Sequence, residues 1–124
     1  MKSLTTLAAC MLGFAGVCDA AEIASPTIYA SPSQNVALCA VYNGGTTAQT
    51  VRLRLFDEGG VIPDPVDNCG SALPAGGFCS IAKIGLSSIS AFACSATAVS
   101  VVHLRGSMIL QDGSNTSLRS APLR

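Results

Sequence analysis

Residues 51–55 alternate strictly between aliphatic and charged side chains, in the order Val-Arg-Leu-Arg-Leu. Because successive side chains of a β-strand point to opposite faces, this pattern predicts a strand whose aliphatic side chains enter a core. The same pattern places Arg52 and Arg54 together on the opposite face. For these two arginines, a solvated face with some pairing across strands is favoured over an anion-binding site.

Several other segments have the length and apolar character of β-strands. Residues 36–42 form a nearly continuous apolar run, which predicts a strand covered on both of its faces. Residues 91–98 and 103–111 also have strand patterns, but no clear turn signal separates them, so one long bent strand is an alternative around residues 99–102. The remaining candidate strands are residues 23–29, 78–86 and 116–123.

The alternation within these segments identifies the side chains that are expected in the core. In the strand over residues 78–86, we expect Ile81 and Ile84 to be buried. No segment shows a convincing helical period. The expected core faces of the next two strands contain Phe92, Cys94, Ala96 and Ala98, and then Val102, Leu104, Gly106, Met108 and Leu110.

Glycine, asparagine and proline mark the connections between the strands. Residues 43–45, Asn-Gly-Gly, are expected to supply the positive φ angles of a chain reversal. Residues 58–60 end the alternating strand, and residues 61–68 contain two prolines and are expected to be irregular. Pro26 and Pro122 lack the N–H that a central strand needs, which predicts edge strands there. About seven strands joined by such turns are typical of an antiparallel β-sandwich.

The first 20 residues have the parts of a secretory signal peptide. Lys2 gives a positive start, an uncharged apolar stretch covers residues 4–17, and small side chains precede an expected cleavage after Ala20. The apolar stretch is shorter than the about 20 residues that span a bilayer. A lipid-modified Cys10, preceded by Leu-Ala-Ala, is a less favoured alternative. We therefore expect residues 1–20 to be a signal peptide and residues 21–124 to be one secreted or periplasmic domain.

Four cysteines remain after the expected cleavage, namely Cys39, Cys69, Cys79 and Cys94. An even number of cysteines in an exported chain favours disulfides over a Cys₄ zinc site, and the chain has no Cys-x-x-Cys pair. Of the three possible pairings, Cys39–Cys94 with Cys69–Cys79 is preferred. The first pair would join strands that are distant in sequence, and the second would close a short loop around the turn at residues 74–77.

The charged residues are few and balanced, with seven of each sign in the whole chain and six of each sign after removal of Lys2 and Asp19 with the signal peptide. A nucleic-acid-binding domain normally has a basic patch, and the sequence contains none, so nucleic acid is not expected as a partner. No apolar run in residues 21–124 is long enough to predict a transmembrane helix.

Three segments together resemble a known family. Residues 39–45 read Cys-Ala-Val-Tyr-Asn-Gly-Gly, residues 50–60 contain the alternating strand and an acidic glycine turn, and residues 73–76 read Leu-Pro-Ala-Gly. In this order they resemble immunoglobulin-like modules of bacterial surface proteins, and they are most similar to the cell-adhesion-related domain found in bacteria. The resemblance implies an immunoglobulin-like sandwich with a non-catalytic binding or structural role.

The residues that catalysis requires are sparse. His103 is the only histidine, and the chain has no Gly-x-Ser-x-Gly elbow. Ser80, Ser95 or Ser107 would meet His103 only if the fold happened to bring them together. We therefore expect no catalytic residues, no cofactor and no metal, and the protein is not expected to be an enzyme.

Two further patterns carry less weight. Carboxylate and amide oxygens that could act as calcium ligands are concentrated in one region, at Asp57, Glu58, Asp64, Asp67 and Asn68. EF-hand spacing is absent, so a solvated acidic loop is favoured over a calcium site. Separately, Asn115 begins a formal N-glycosylation sequence, Asn-Thr-Ser.

Two classes of function remain open. The first is a non-catalytic secreted or periplasmic module with a structural or binding role, whose partner is a protein or a glycan. The second is a small secreted inhibitor or effector that acts through the loop between Cys69 and Cys79. Exposure of both Leu73 and Phe78 would favour the inhibitor, and burial of both would favour a plain scaffold. In either case the working surface is expected within residues 57–78.

Overall fold

The computed structural model describes residues 20–86, 90–114 and 118–124, and within these residues the chain forms ten β-strands and no helix. The predicted signal peptide lies outside the described residues except for Ala20, and so do Cys10 and Asn115. The strands are β1 (Ala21–Ala24), β2 (Ile28–Tyr29), β3 (Val36–Asn43), β4 (Arg52–Asp57), β5 (Gly60–Val61), β6 (Val66–Asp67), β7 (Phe78–Ile84), β8 (Ala91–Ala98), β9 (Leu104–Gln111) and β10 (Leu118–Pro122).

The strands form two antiparallel sheets of five strands each. The first, which we term the β8 sheet, has the order β1-β8-β4-β5, and β2 also pairs with β8. The second, which we term the β3 sheet, has the order β10-β9-β3-β7-β6. The prediction of an all-β, antiparallel protein is confirmed.

The described residues contain more strands than the seven or so that were predicted. The segment over residues 23–29 divides at Pro26 into β1 and β2, which pair successively along β8. Two short strands, β5 and β6, form where an irregular chain was predicted. β5 folds back on β4 through a tight turn at residues 58–59, and Gly60 completes it with a φ of 113°, a value that favours glycine.

The buried faces of the two sheets share one hydrophobic core. The alternation predicted for β4 is confirmed, because its aliphatic side chains are buried while Arg52 and Arg54 are exposed. The predicted core face of β8 is also buried throughout. In β9 the predicted core side chains Leu104, Met108 and Leu110 are buried as well.

Three predictions about burial are wrong. Ile84 is 66% exposed although Ile81 is buried, because residues three positions apart in a strand lie on opposite faces. Val102 is exposed because it precedes β9, in the link that crosses between the sheets. That crossing also excludes one long bent strand over residues 99–102. The prediction that β3 is covered on both faces is wrong at Tyr42, whose side chain is 47% exposed on the outer face.

The prolines lie at sheet edges, as predicted. Pro26 separates β1 from β2 at the edge of the β8 sheet, and Pro122 ends β10, the outermost strand of the β3 sheet. These two edges are joined by a pair of backbone hydrogen bonds between Ala24 and Arg124, at 3.1 and 3.0 Å. The fold is therefore closed along this side.

Candidate functional site

Cys39 and Cys94 form a disulfide between the central strands of the two sheets. Their Cα atoms are 5.9 Å apart, both residues are buried, and the bond connects β3 to β8 across a sequence separation of 55 residues. This is the long-range pair preferred from the sequence. It ties the sheets together in the core, so the outer residues of both sheets rest on a rigid support.

A second disulfide joins Cys69 to Cys79, near the start of β7, with Cα atoms 4.7 Å apart. This is the short-range pair preferred from the sequence, and it encloses the Cys69–Cys79 loop. Inside the loop, the N–H of Gly77 donates to the carbonyl oxygen of Pro74 at 2.9 Å, and Gly76 has a φ of 73°. A turn thus forms at the Pro-Ala-Gly-Gly sequence, where it was expected.

The side chain of Asn43 fixes this loop from inside the protein. Asn43 is fully buried at the end of β3, and its Nδ2 donates to the carbonyl oxygens of Thr47 at 3.0 Å and Leu73 at 3.1 Å. Its Oδ1 accepts a hydrogen bond from the N–H of Gly45 at 3.0 Å. Every polar atom of the side chain is therefore satisfied in the interior.

The backbone of Asn43 binds the same loop. Its N–H donates to the carbonyl oxygen of Gly77 at 2.9 Å, and its own carbonyl oxygen accepts from Gly76 at 2.8 Å. The predicted positive φ angles at residues 43–45 are absent; among the described residues, positive φ occurs at Gly60, Asp64, Gly70, Gly76 and Gly85. Space is tight at Gly44 instead, because a Cβ there would lie 3.2 Å from the carbonyl oxygen of His103.

Leu73 and Phe78, whose exposure distinguishes an inhibitor from a scaffold, differ in burial. Leu73 is only 3% exposed, because it enters the core and exchanges two backbone hydrogen bonds with Gln49, at 3.0 and 2.8 Å. Phe78, at the end of the loop, is 76% exposed. The loop therefore points one of its large apolar side chains inward and presents the other to solvent.

Phe78 belongs to a larger exposed surface on the β3 sheet. In the pairing of the strands, Tyr42 of β3 lies directly between Phe78 of β7 and Arg105 of β9. The Arg105 guanidinium is held in place, since its Nη1 donates to the carbonyl oxygens of Leu104 at 2.7 Å and Val102 at 3.0 Å. We term the row formed by Phe78, Tyr42 and Arg105 the aromatic row.

An open groove of about 320 Å³ lies beside the aromatic row. Small residues form its floor, because Ala40, Gly106 and Ser107 occupy the adjacent positions of β3 and β9. The sequence predicted the working surface within residues 57–78, and of the aromatic row only Phe78 lies in that range. Tyr42 and Arg105 lie next to Phe78 because three strands pair there.

The acidic loop uses its oxygens to bind its own backbone. Oδ1 of Asp57 accepts from Gly59 and Oδ1 of Asp67 accepts from Cys69, each at 2.8 Å. Asn68 Oδ1 accepts from the N–H of Ser80. Within the described residues, no group of three histidine, cysteine, aspartate or glutamate side chains is arranged to hold a metal ion.

The serines considered as partners for His103 are dispersed. His103 is exposed in the link before β9, and among the described residues its ring forms no hydrogen bond with a serine. Ser80 and Ser107 flank Ala40 on the outer face of the β3 sheet. Ser95 lies in the other sheet, where its buried hydroxyl has no hydrogen-bond partner in the described part of the chain. The described residues therefore contain no hydrogen-bonded Ser–His pair.

Comparison of the chain with protein-family models, curated proteins and solved structures finds no match. Over residues 20–86, 90–114 and 118–124, no helix has the length and apolarity needed to cross a membrane.

Proposed function

We propose that this protein is a secreted or periplasmic, non-catalytic binding module with an immunoglobulin-like β-sandwich fold. Two antiparallel sheets over a shared core and a disulfide between their central strands are features of such modules. Both disulfides fit an oxidising compartment outside the cytoplasm, to which a cleaved signal peptide over residues 1–20 would direct the chain. The proposed partner is a protein or a glycan of the cell envelope.

The observation that carries the binding role is the aromatic row. Phe78 and Tyr42 are neighbouring aromatic side chains, 76% and 47% exposed, on a sheet that a disulfide ties to the other sheet. Exposed apolar patches of this kind often mark interaction sites, and tyrosine and arginine are enriched among the residues that dominate binding energy. Because the row lies on regular strands, the backbone that carries its side chains is already ordered before a partner binds.

The alternative is a small secreted inhibitor or effector that acts through the Cys69–Cys79 loop. The exposed Phe78 supports this alternative, but the buried Leu73 removes the second apolar contact that an inhibitory loop would present. The remaining exposed apolar side chain of the loop, Phe78, also belongs to the aromatic row. Binding through the face of the β3 sheet is therefore favoured over insertion of the loop into an enzyme.

A sedimentation assay with isolated cell envelopes of the producing organism tests the binding role. We expect the wild-type protein to bind saturably, and the double variant Tyr42→Ser/Phe78→Ser to bind at least about tenfold more weakly. The control variant Val66→Ser/Val99→Ser removes two apolar side chains that are similarly exposed elsewhere. Equal binding by all three proteins, or no binding by the wild type, would rule out the aromatic row as the binding surface.

A further inference from the structure

One edge of the β8 sheet is open along part of β4. The N–H of Ile62 donates to the carbonyl oxygen of Leu55 at 2.9 Å, so the backbone of Leu55 faces away from β8. Because the backbone groups of alternate strand residues point to the same side, those of Val51 and Leu53 also face away from β8. Neither residue forms a backbone hydrogen bond on that side within the described residues.

Both ends of this open edge are closed by the protein itself. At one end Gln49 pairs with Leu73 of the Cys69–Cys79 loop, and at the other end β5 pairs with β4. Between them lies a groove of about 430 Å³, lined by residues 50–54 together with Asp67 and Gly70. At about 3.4 Å per residue, the open stretch is about 17 Å long, which suits a short extended peptide.

Two arginine side chains lie beside the groove. Arg52 and Arg54 are exposed, and neither guanidinium forms a hydrogen bond or ion pair within the described residues. One carboxylate, Asp67, also lines the groove, and its Oδ1 accepts from the N–H of Cys69 rather than from either arginine; Glu22 lies two strands from Arg52 in the same row. Two arginines against one carboxylate give the surroundings of the open backbone a net positive charge.

We propose that the β4 edge binds an extended acidic peptide segment as an additional antiparallel strand. The peptide backbone would exchange hydrogen bonds with Val51 and Leu53, in the manner of strand addition to a sheet edge. Arg52 and Arg54 would then face peptide residues two positions apart, at the non-hydrogen-bonded positions where side chains approach most closely. Carboxylates at those two positions would pair with both arginines. This proposal does not depend on the aromatic row.

A second copy of the chain is a poor occupant of the same edge. If two β4 edges paired antiparallel around Leu53, Arg52 of one copy would face Arg54 of the other. Like charges directly opposite each other destabilise strand pairing. The two arginines therefore act against self-association through this edge and in favour of an acidic partner.

Fluorescence anisotropy with a labelled five-residue peptide, Thr-Glu-Thr-Glu-Thr, tests the charge requirement on the purified, oxidised protein. We expect saturable binding at low salt, and binding about tenfold weaker or more for the matching peptide with Gln in place of Glu. The variant Arg52→Gln/Arg54→Gln should show a similar loss. The control Lys83→Gln/Arg124→Gln removes the same number of charges away from the groove and should bind like the wild type.

Amide hydrogen exchange tests strand addition separately. In the free protein the amides of Val51 and Leu53 should exchange quickly, and bound Glu peptide should slow both at least about tenfold. The proposal would be overturned if the Glu peptide did not bind, or if the Gln peptide bound equally well. It would also be overturned if Arg52→Gln/Arg54→Gln and the control Lys83→Gln/Arg124→Gln lost equal affinity, or if exchange at both amides did not change. Peptide binding that persists in Tyr42→Ser/Phe78→Ser would separate this edge from the aromatic row.

Discussion

Asn43 shows how one residue can have a role that its sequence context does not reveal. Next to two glycines, an asparagine normally indicates a turn, and a turn was predicted. In the structure Asn43 is the last residue of β3, and its side chain crosses the interior to bind Thr47, Leu73 and Gly45. The partner Leu73 is 30 residues away, so no local pattern could indicate the contact.

Replacing Asn43 with alanine should therefore destabilise the protein strongly. Asn43→Ala removes three side-chain hydrogen bonds, to Thr47, Leu73 and Gly45, and leaves a cavity at a fully buried position, which we expect to cost about 2–4 kcal/mol. Urea unfolding followed by circular dichroism measures the loss. Asn35→Ala is the matched control, because Asn35 is exposed and should change stability by less than about 0.5 kcal/mol. Similar midpoints for both variants would contradict the structural role of Asn43.

Gly106 is a second residue whose identity is set by its surroundings. A Cβ at this position would lie 2.7 Å from the carbonyl oxygen of Ala40 and 2.8 Å from Cγ1 of Val41. Since backbone cannot move aside cheaply, we expect Gly106→Ala to cost about 1–3 kcal/mol. Gly113→Ala is the control, because no atom of the described residues lies closer than 3.9 Å to a Cβ there. Thermal unfolding that places the two variants at the same midpoint would refute the close approach.

At the scale of the strand, periodicity predicted the faces well and the limits of the strands less well. In β4 and β8 the alternation identified the buried side chains correctly, because a half-buried strand has to alternate. The prediction that Ile84 is buried was wrong because Ile84 lies three residues from the buried Ile81 and therefore on the opposite face. Periodicity also failed to locate the end of β8, since the chain leaves one sheet for the other at residues 99–103 without a glycine or proline.

The two disulfides should contribute unequally to the stability of these strands. In the chain-entropy model, the Cys39–Cys94 bond contributes about 4 kcal/mol and the Cys69–Cys79 bond about 3 kcal/mol. Urea unfolding of the variants Cys39→Ala/Cys94→Ala and Cys69→Ala/Cys79→Ala measures each contribution. We expect the core variant to lose more stability, because it also leaves a cavity between the sheets. A larger loss in the loop variant would contradict this order.

At the scale of the whole molecule, one side is closed by the meeting of distant chain segments. Leu123 follows the edge strand β10 and is buried in the shared core, where its N–H donates to the carbonyl oxygen of Gly106 at 2.9 Å. The next residue, Arg124, pairs with Ala24 of the other sheet. The opposite side keeps the open stretch of β4. This asymmetry leaves β4 as the edge at which an added strand is proposed.

Truncating Leu123 tests that closure. Leu123→Ala removes a buried side chain at the junction of the sheets, and we expect it to cost about 2–4 kcal/mol in urea unfolding. Leu118→Ala is the matched control, because Leu118 is exposed in β10 and its truncation should cost less than about 1 kcal/mol. Equal costs would show that the core does not extend to Leu123.

The sequence alone determined the all-β class, the faces of the main strands and the edge positions of the prolines, because each depends on local alternation or on a missing N–H. The tertiary structure decided which residues meet. It placed Tyr42 between Phe78 and Arg105, and it buried Asn43 against Leu73. It also left the backbone of Val51 and Leu53 without a strand partner on one side, beside two arginines that form no ion pair within the described residues. These relations depend on strand order and register, which one chain's periodicity cannot encode.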